Sequence, residues 1–252
     1  MASYTVNGLV IHRVNTGETD RILTLYTREK GKLSAIAKSS RAAKSRSSGA
    51  TELFTASKYL LGEGKSLDVV SQIEIKNAFV HLRNDLDRIS RATYFCELLD
   101  GFTIAHDSSN CEALYDLSVA ALALLEEENS YQDGVVHAFE LRLLEAQGYA
   151  PELSQCVKCG EETGFRSTGY SPSAGGVLCA KDRFQSEDSF SLMPETLELL
   201  RLLQTSKRSV LLSLSPNQQV AAEVAKVLRR TIREHTDREL KSARFLDSLR
   251  AS

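Results

Sequence analysis

An α+β chain, rich in strands over its first third and helical after that, is what three features of the sequence predict. Short β-branched and apolar segments separated by turn residues fill residues 4–78. From about residue 80 the apolar residues recur at helical spacing, and a stretch with glycines, prolines and three cysteines at 151–188 interrupts that spacing. Residues 1–80 are therefore read as a barrel, and 81–252 as a mostly α-helical domain carrying 151–188 as a zinc-ribbon-like insertion. The composition, 42% hydrophobic and 25% charged, is that of a globular protein with a core of its own.

The strand segments are Leu9–Val14, Ile22–Tyr26, Lys32–Ala37, Tyr59–Leu61 and Leu67–Ile75. Thr16-Gly17, Lys30-Gly31 and Gly62-Glu63-Gly64 supply the turns between them. In the last segment Leu67, Val69, Ser71, Ile73 and Ile75 share one face, expected to point inward. Five short strands suit a small closed barrel, because closure removes exposed edges. An OB-fold is the expected form; a small SH3-like barrel has a similar pattern.

Ile89, Ala92, Cys96, Leu99 and Phe102 form one stripe of a first helix. Leu114, Leu117, Ala121, Leu124 and Leu125 mark a second. Val135, Phe139, Leu143 and Leu144 mark a third, which Gly148 is placed to end. A fourth starts near Pro194 and runs through Leu199 and Leu203. A fifth starts at Ser215-Pro216 and runs through Val220, Val224, Leu228 and Ile232.

Charge is uneven. Residues 1–80 hold 12 Lys/Arg against 7 Asp/Glu, a net +5, and the remainder holds 19 against 26, a net −7. Arg28, Lys30, Lys32, Lys38, Arg41, Lys44 and Arg46 fall within one short stretch in which Glu29 is the only acid. Residues 38–49 have no apolar period and read as an exposed, mobile loop between barrel strands. Such cations contact phosphates and displace counterions, and loops between strands frame the groove in which OB-folds hold nucleic-acid strands. The alternative is a solvated loop whose charge serves solubility alone. Aromatic residues for base stacking are few in this third: Tyr4, Tyr26, Phe54, Tyr59 and Phe79, several of them expected in the core. Binding dominated by electrostatics, neutralising about four to six phosphates and tolerating duplex as well as single strands, is the expectation.

Cys156-x-x-Cys159 and Cys179-x-x-Asp182 have the spacing of a zinc ribbon, with Gly160 and Gly175-Gly176 for the tight turns. Three thiolates and a carboxylate bind zinc less tightly than four thiolates. A ribbon held by hydrogen bonds and packing alone is the competing reading. In either case the role is structural, since four protein ligands leave no open coordination position. Cys96 and Cys111 read as inert thiols. Met1-Ala2-Ser3-Tyr4 leads straight into a strand-like segment and no apolar run approaches a membrane span, so a cytoplasmic, reducing location is expected.

No GxxxxGK[ST], GxSxG or HExxH motif is present, which argues against an ATP motor, and the five histidines are scattered. No catalytic residues are expected. Near the C-terminus Arg229, Arg230, Arg233, Arg238, Lys241, Arg244 and Arg250 form a second basic run. There Arg230–Glu234–Arg238 and Arg233–Asp237–Lys241 are spaced as intrahelical ion-pair ladders.

From end to end the chain resembles the RecO family of bacterial DNA repair and recombination mediators. GLVIHRVNTGETDRILTLYTREKGKLSAIAKSSRAAKSR (8–46) resembles that family's barrel, with its turn at Gly17–Asp20 and its basic loop at 38–46. FELRLLEAQGYAPELSQCVKCG (139–160) and GGVLC (175–179) resemble the helix and the two knuckles of its metal segment. RELKSARFLDSL (238–249) resembles its final helix. The Asp at 182 departs from the family's four-cysteine pattern. The resemblance implies binding of single- and double-stranded DNA, annealing of complementary strands without ATP, and help in loading RecA onto DNA coated with single-strand-binding protein. It implies RecR and the acidic C-terminal tail of single-strand-binding protein as partners, structural zinc as cofactor, and a place in the bacterial cytoplasm at the nucleoid. A protein-interaction adaptor that uses barrel and ribbon without touching DNA is the alternative from a different class.

Overall fold

The 14-residue strand β1 (Ser3–Thr16) is long enough to serve two neighbours. Its first half pairs with β4 (Ala56–Gly62) and its second half with β2 (Asp20–Thr27), both antiparallel. Gly8 stands where the two pairings overlap; a Cβ there would come within 3.1 Å of the Tyr59 ring, so a small residue lets that ring fill the interior. The β3 strand (Gly31–Ala37) pairs with β2, and β5 (Asp68–Asn77) closes the cylinder between β3 and β4 in the order β1-β2-β3-β5-β4. Only the β3–β5 contact is parallel. This is the five-stranded closed barrel that the segment pattern predicts. We describe it from a computed structural model that covers residues 2–43, 45, 47–127, 132–163, 168–205, 207–236 and 240–250.

Val6, Val10, Leu23, Leu25, Leu33, Ala35, Ala37, Tyr59 and Leu61 form the barrel core. Apolar burial of this kind contributes about 25 cal/mol per Å², the main term favouring closure. The phase expected for β5 needs correcting. Leu60 faces Gln72 while Leu61 faces Val70, so Ser71 is an extra residue, a bulge. A bulge of one residue shifts the alternation, and Val70 and Ile73 pack on the core while Ser71 and Ile75 are exposed.

The chain folds as two compact units, Met1–Glu127 with Leu240–Ser252, and Glu128–Glu239. The change of periodicity near residue 80 is thus not where the units divide. The helices α1 (Leu86–Phe102) and α2 (Cys111–Leu125) pack on the barrel strands, and α7 (Lys241–Arg250) packs on α1. The Asp85 carboxylate caps α1 at Asp87 N and Arg88 N, satisfying donors that the first turn leaves free. Glu97 on α1 caps α7 in the same way, accepting from Lys241 N at 2.9 Å and Ser242 N at 2.8 Å.

In the second unit α3 (Gln132–Ala146) ends as expected at Gly148, whose φ of 78° lets Tyr149 N reach Leu144 O at 2.7 Å. The cysteine segment contains a small sheet of β6 (Gly169–Ser171), β7 (Gly176–Leu178) and β8 (Phe190–Ser191), in the order β7-β6-β8. It leads into α4 (Pro194–Thr205), the short α5 (Arg208–Ser213) and α6 (Gln218–Glu234). The cap of α6 is Asn217, whose side chain accepts from Val220 N at 2.9 Å, and not Ser215. The helix therefore starts two residues later than the Ser215-Pro216 pair suggested. No helix among the described residues is long and apolar enough to cross a membrane.

Candidate nucleic-acid interface and metal centre

The seven basic residues of the first third divide into two groups. In the β2–β3 hairpin, Arg28 lies between two acids of α2, with its Nη2 2.5 Å from Glu112 and its Nε 3.0 Å from Asp116. The hydrogen bond to Asp116 raises its pKa further. Lys32 donates to Asp100 at both the backbone oxygen, 2.7 Å, and the carboxylate, 2.9 Å. Lys30 sits over the Tyr4 ring at 3.5 Å. The hairpin is itself docked. Cys111 Sγ lies 3.0 Å from Arg28 O, and His106 N donates to Lys32 O at 2.8 Å. Gly31 permits this approach: at φ 65° its added Cβ would lie 2.0 Å from Asp107 O.

Beyond β3 the picture changes. Lys38 and Arg41 are exposed, and among the described residues neither has an ion pair. Lys44 and Arg46 lie outside the described residues. The start of this loop is not free, as a lack of apolar period led one to expect. Ser40 is buried, Ser39 N donates to Asp20 Oδ1 at 2.7 Å, and Arg41 N donates to Thr19 O at 2.8 Å. These bonds hold the loop's first residues beside the β1–β2 turn.

Three guanidiniums that sequence reasoning did not single out support the loop from below. Arg13 and Arg21 both bind Glu52, and Arg21 Nη1 also donates to Thr51 Oγ1 at 2.8 Å. Burial would raise the Glu52 carboxyl, but the bonds and charge of Arg13 and Arg21 outweigh it and hold it below the ordinary glutamate range. Arg83, its pKa lowered by burial, donates to Leu53 O at 2.8 Å and Thr55 Oγ1 at 2.7 Å and feels the charge of both Glu52 and Arg13. Glu52 thus binds two guanidiniums, while Arg83 is held by backbone and threonine oxygens and feels Glu126 as well as Glu52. Arg13 and Arg21 stand singly in their strands, far along the chain from Glu52, so no local pattern marks them.

OB-folds characteristically bind strands across β2 and β3, framed by the loops that follow β1 and β4. Here that face opens on a cavity of about 470 Å³ lined by Thr24, Lys32, Ser34, residues 64–68, Asp100 and His106. Residues 104–107 run along β3 there, with Ala105 paired beside Lys32. Part of the customary groove is therefore covered by the chain's own backbone, and the uncovered positive charge lies toward the loop at 38–46.

In the second unit Cys156, Cys159, Cys179 and Asp182 come together, their ligand atoms all within 4.8 Å of one another. Asp182 Oδ2 is 3.3 Å from both Cys156 Sγ and Cys179 Sγ, and Cys159 Sγ is 3.9 Å from Cys179 Sγ. Zinc bonds of ordinary length would give tetrahedral edges of about 3.8 Å between sulfurs and about 3.5 Å between sulfur and oxygen. The four groups thus fit a tetrahedral ion. Burial alone would raise the Cys156 thiol, but backbone N–H groups of Cys179, Cys159 and Lys158 aimed at its sulfur hold its pKa down. Gly160 at φ 73° and Gly175 at φ 77° turn the two knuckles, as their positions suggest.

Residues 1–79 match the family described as Recombination protein O N terminal, and residues 83–244 match Recombination protein O C terminal. The chain is similar to proteins named DNA repair protein RecO. Identity with that of Symbiobacterium thermophilum is 38% over 256 residues, covering 100% of both chains. With that of Acetivibrio thermocellus it is 32% over 243 residues, 96% of each. With that of Heliobacterium modesticaldum it is 37% over 254 residues, 99% of this chain and 91% of the other.

Proposed function

The chain belongs to the RecO family of DNA repair proteins, and from that premise we propose that it binds single- and double-stranded DNA at the loop end of its barrel and anneals complementary strands without a nucleotide cofactor. In this reading it also helps RecA onto DNA coated with single-strand-binding protein. RecR and the acidic tail of single-strand-binding protein are its partners. The observation that carries the DNA reading is that Lys38 and Arg41 are exposed and, among the described residues, without an ion pair, in the same unit as the guanidiniums of Arg13, Arg21 and Arg83. With Arg28 and Lys32 engaged by acids, we propose that the loop cations Lys38 and Arg41, together with Lys44 and Arg46 of the same stretch of sequence, meet the phosphates. That corresponds to about four released counterions.

The test is annealing of complementary oligonucleotides without nucleotide by the wild type and by the R41A/K44A/R46A variant. Annealing that collapses in the variant supports the loop as the site. Equal annealing removes the loop from the site. No salt-sensitive DNA binding by the wild type at all favours an adaptor that touches only proteins.

We propose further that Cys156, Cys159, Cys179 and Asp182 hold a structural zinc ion that ties the two knuckles together. Purified protein should carry close to one zinc per chain by elemental analysis, and chelation should lower its melting temperature. Substoichiometric zinc with no effect of a chelator on melting would reject the site.

A further inference from the structure

A second, separate strip of cations and aromatic rings lies in the unit Glu128–Glu239. Phe184 is 78% exposed, the most open among the exposed large apolar side chains, and the Arg183 guanidinium lies 4.5 Å from its ring centre. Arg183 Nη1 also reaches Ser191 Oγ at 3.3 Å, the neighbour of Phe190. The Phe190 ring in turn carries Lys226 at 4.3 Å and Arg230 at 4.9 Å. Arg230 therefore lies over an aromatic face where its spacing to Glu234 suggested an ion pair. Lys181, three residues before Phe184, is exposed too, and among the described residues Lys181, Arg183, Lys226 and Arg230 form no ion pair with a carboxylate. The neighbouring acid Asp188 is occupied, accepting from Ser171 Oγ at 2.6 Å and Ser173 N at 2.8 Å.

A single exposed apolar side chain is ordinary on a protein surface; Phe184 stands out for the cations arrayed beside it. An open ring beside cations that have no ion pair among the described residues matches one ligand chemistry well, a single nucleic-acid strand with a splayed base on Phe184 and phosphates on Arg183 and on Lys226 and Arg230, which Phe190 positions. Tyr26, Phe54, Tyr59 and Phe79 of the barrel are buried, so none of them offers a base a face as open as that of Phe184. We infer that the strip Lys181–Phe184–Phe190–Lys226–Arg230 is a stacking site for single-stranded DNA, giving the chain a strand preference that the loop at 38–46 cannot supply. The inference rests on the DNA-binding reading above, but on different residues.

The chain contains no tryptophan, so Phe184→Trp installs a unique reporter at an exposed position. With the full-length protein, binding of labelled oligo(dT) is followed by anisotropy while tryptophan emission is read in parallel. Emission should fall along the same saturation curve with oligo(dT) and stay constant with an abasic strand of equal charge. F184A should weaken oligo(dT) binding roughly tenfold, the effect of one lost stacked base, and abasic-strand binding less than twofold. K226A/R230A should weaken both. Binding without any change of emission, or equal quenching by the abasic strand, would overturn the strip while leaving the loop reading intact. Absence of binding by the wild type would overturn both.

Discussion

Arg28 to Lys32 and Lys38 to Arg46 are adjacent in the chain and almost identical in charge density, yet they meet opposite fates. The first group is docked: Arg28 between Glu112 and Asp116, Lys32 against Asp100, Gly31 against the backbone at Asp107. The second begins with Lys38 and Arg41, whose side chains have no ion pair among the described residues, and Glu52 in the same unit binds two other guanidiniums, Arg13 and Arg21. A run of positive charge is therefore not yet a binding surface. What decides is whether acids from distant segments fold onto it. Exposed ion pairs contribute little to stability, about 0–1 kcal/mol each, so their main consequence here concerns function: they cancel a field that DNA would otherwise meet.

Breaking the dock should have the largest effect. Gly31→Ala places a side chain at positive φ and against Asp107 O, and should destabilise the fold by roughly 2 to 4 kcal/mol in denaturant titration. A stability within error of wild type would mean that the hairpin is not held there. Releasing one charge without breaking the dock is milder. The E112Q/D116N variant should free Arg28, raise DNA affinity a few-fold and steepen the salt dependence by about one counterion. Unchanged binding would mean that Arg28 points away from the DNA path whatever its partners.

The smallest effect concerns Glu52. Because its folded pKa lies below the ordinary value, it adds stability that is present above the unfolded pKa and lost as pH falls through the lowered one. Glu52→Gln should flatten that acid-side loss in melting scans and modestly strengthen DNA binding by unmasking Arg13 and Arg21. Identical pH profiles would show that the carboxylate does not hold them.

Periodicity made most elements legible. All five barrel strands and the helices α1, α2, α3, α4 and α6 lie where alternation or helical spacing places them. The phase of β5 was hidden because a bulge at Ser71 leaves no local mark. The strands β6, β7 and β8 were hidden because they are two or three residues long, too short for any period to register. The clustering of Cys156, Cys159, Cys179 and Asp182 was readable from spacing, since each knuckle is local. The division of the basic stretch was not readable. Asp100, Glu112 and Asp116 lie far along the chain from Arg28 and Lys32, and their pairing exists only once α1 and α2 pack on the barrel. Phe184 likewise gave no signal, because a single phenylalanine in a polar stretch reads equally well as core.

The most direct trial of this account is the salt dependence of oligonucleotide affinity in two variants side by side, R41A/K44A/R46A and R28A/K32A. The loop variant should lose about three units of log–log slope, one for each cation removed, while the hairpin variant keeps the wild-type slope. Equal losses in both, or a loss confined to R28A/K32A, would contradict the claim that only charge without a folded-in acid reaches the phosphates.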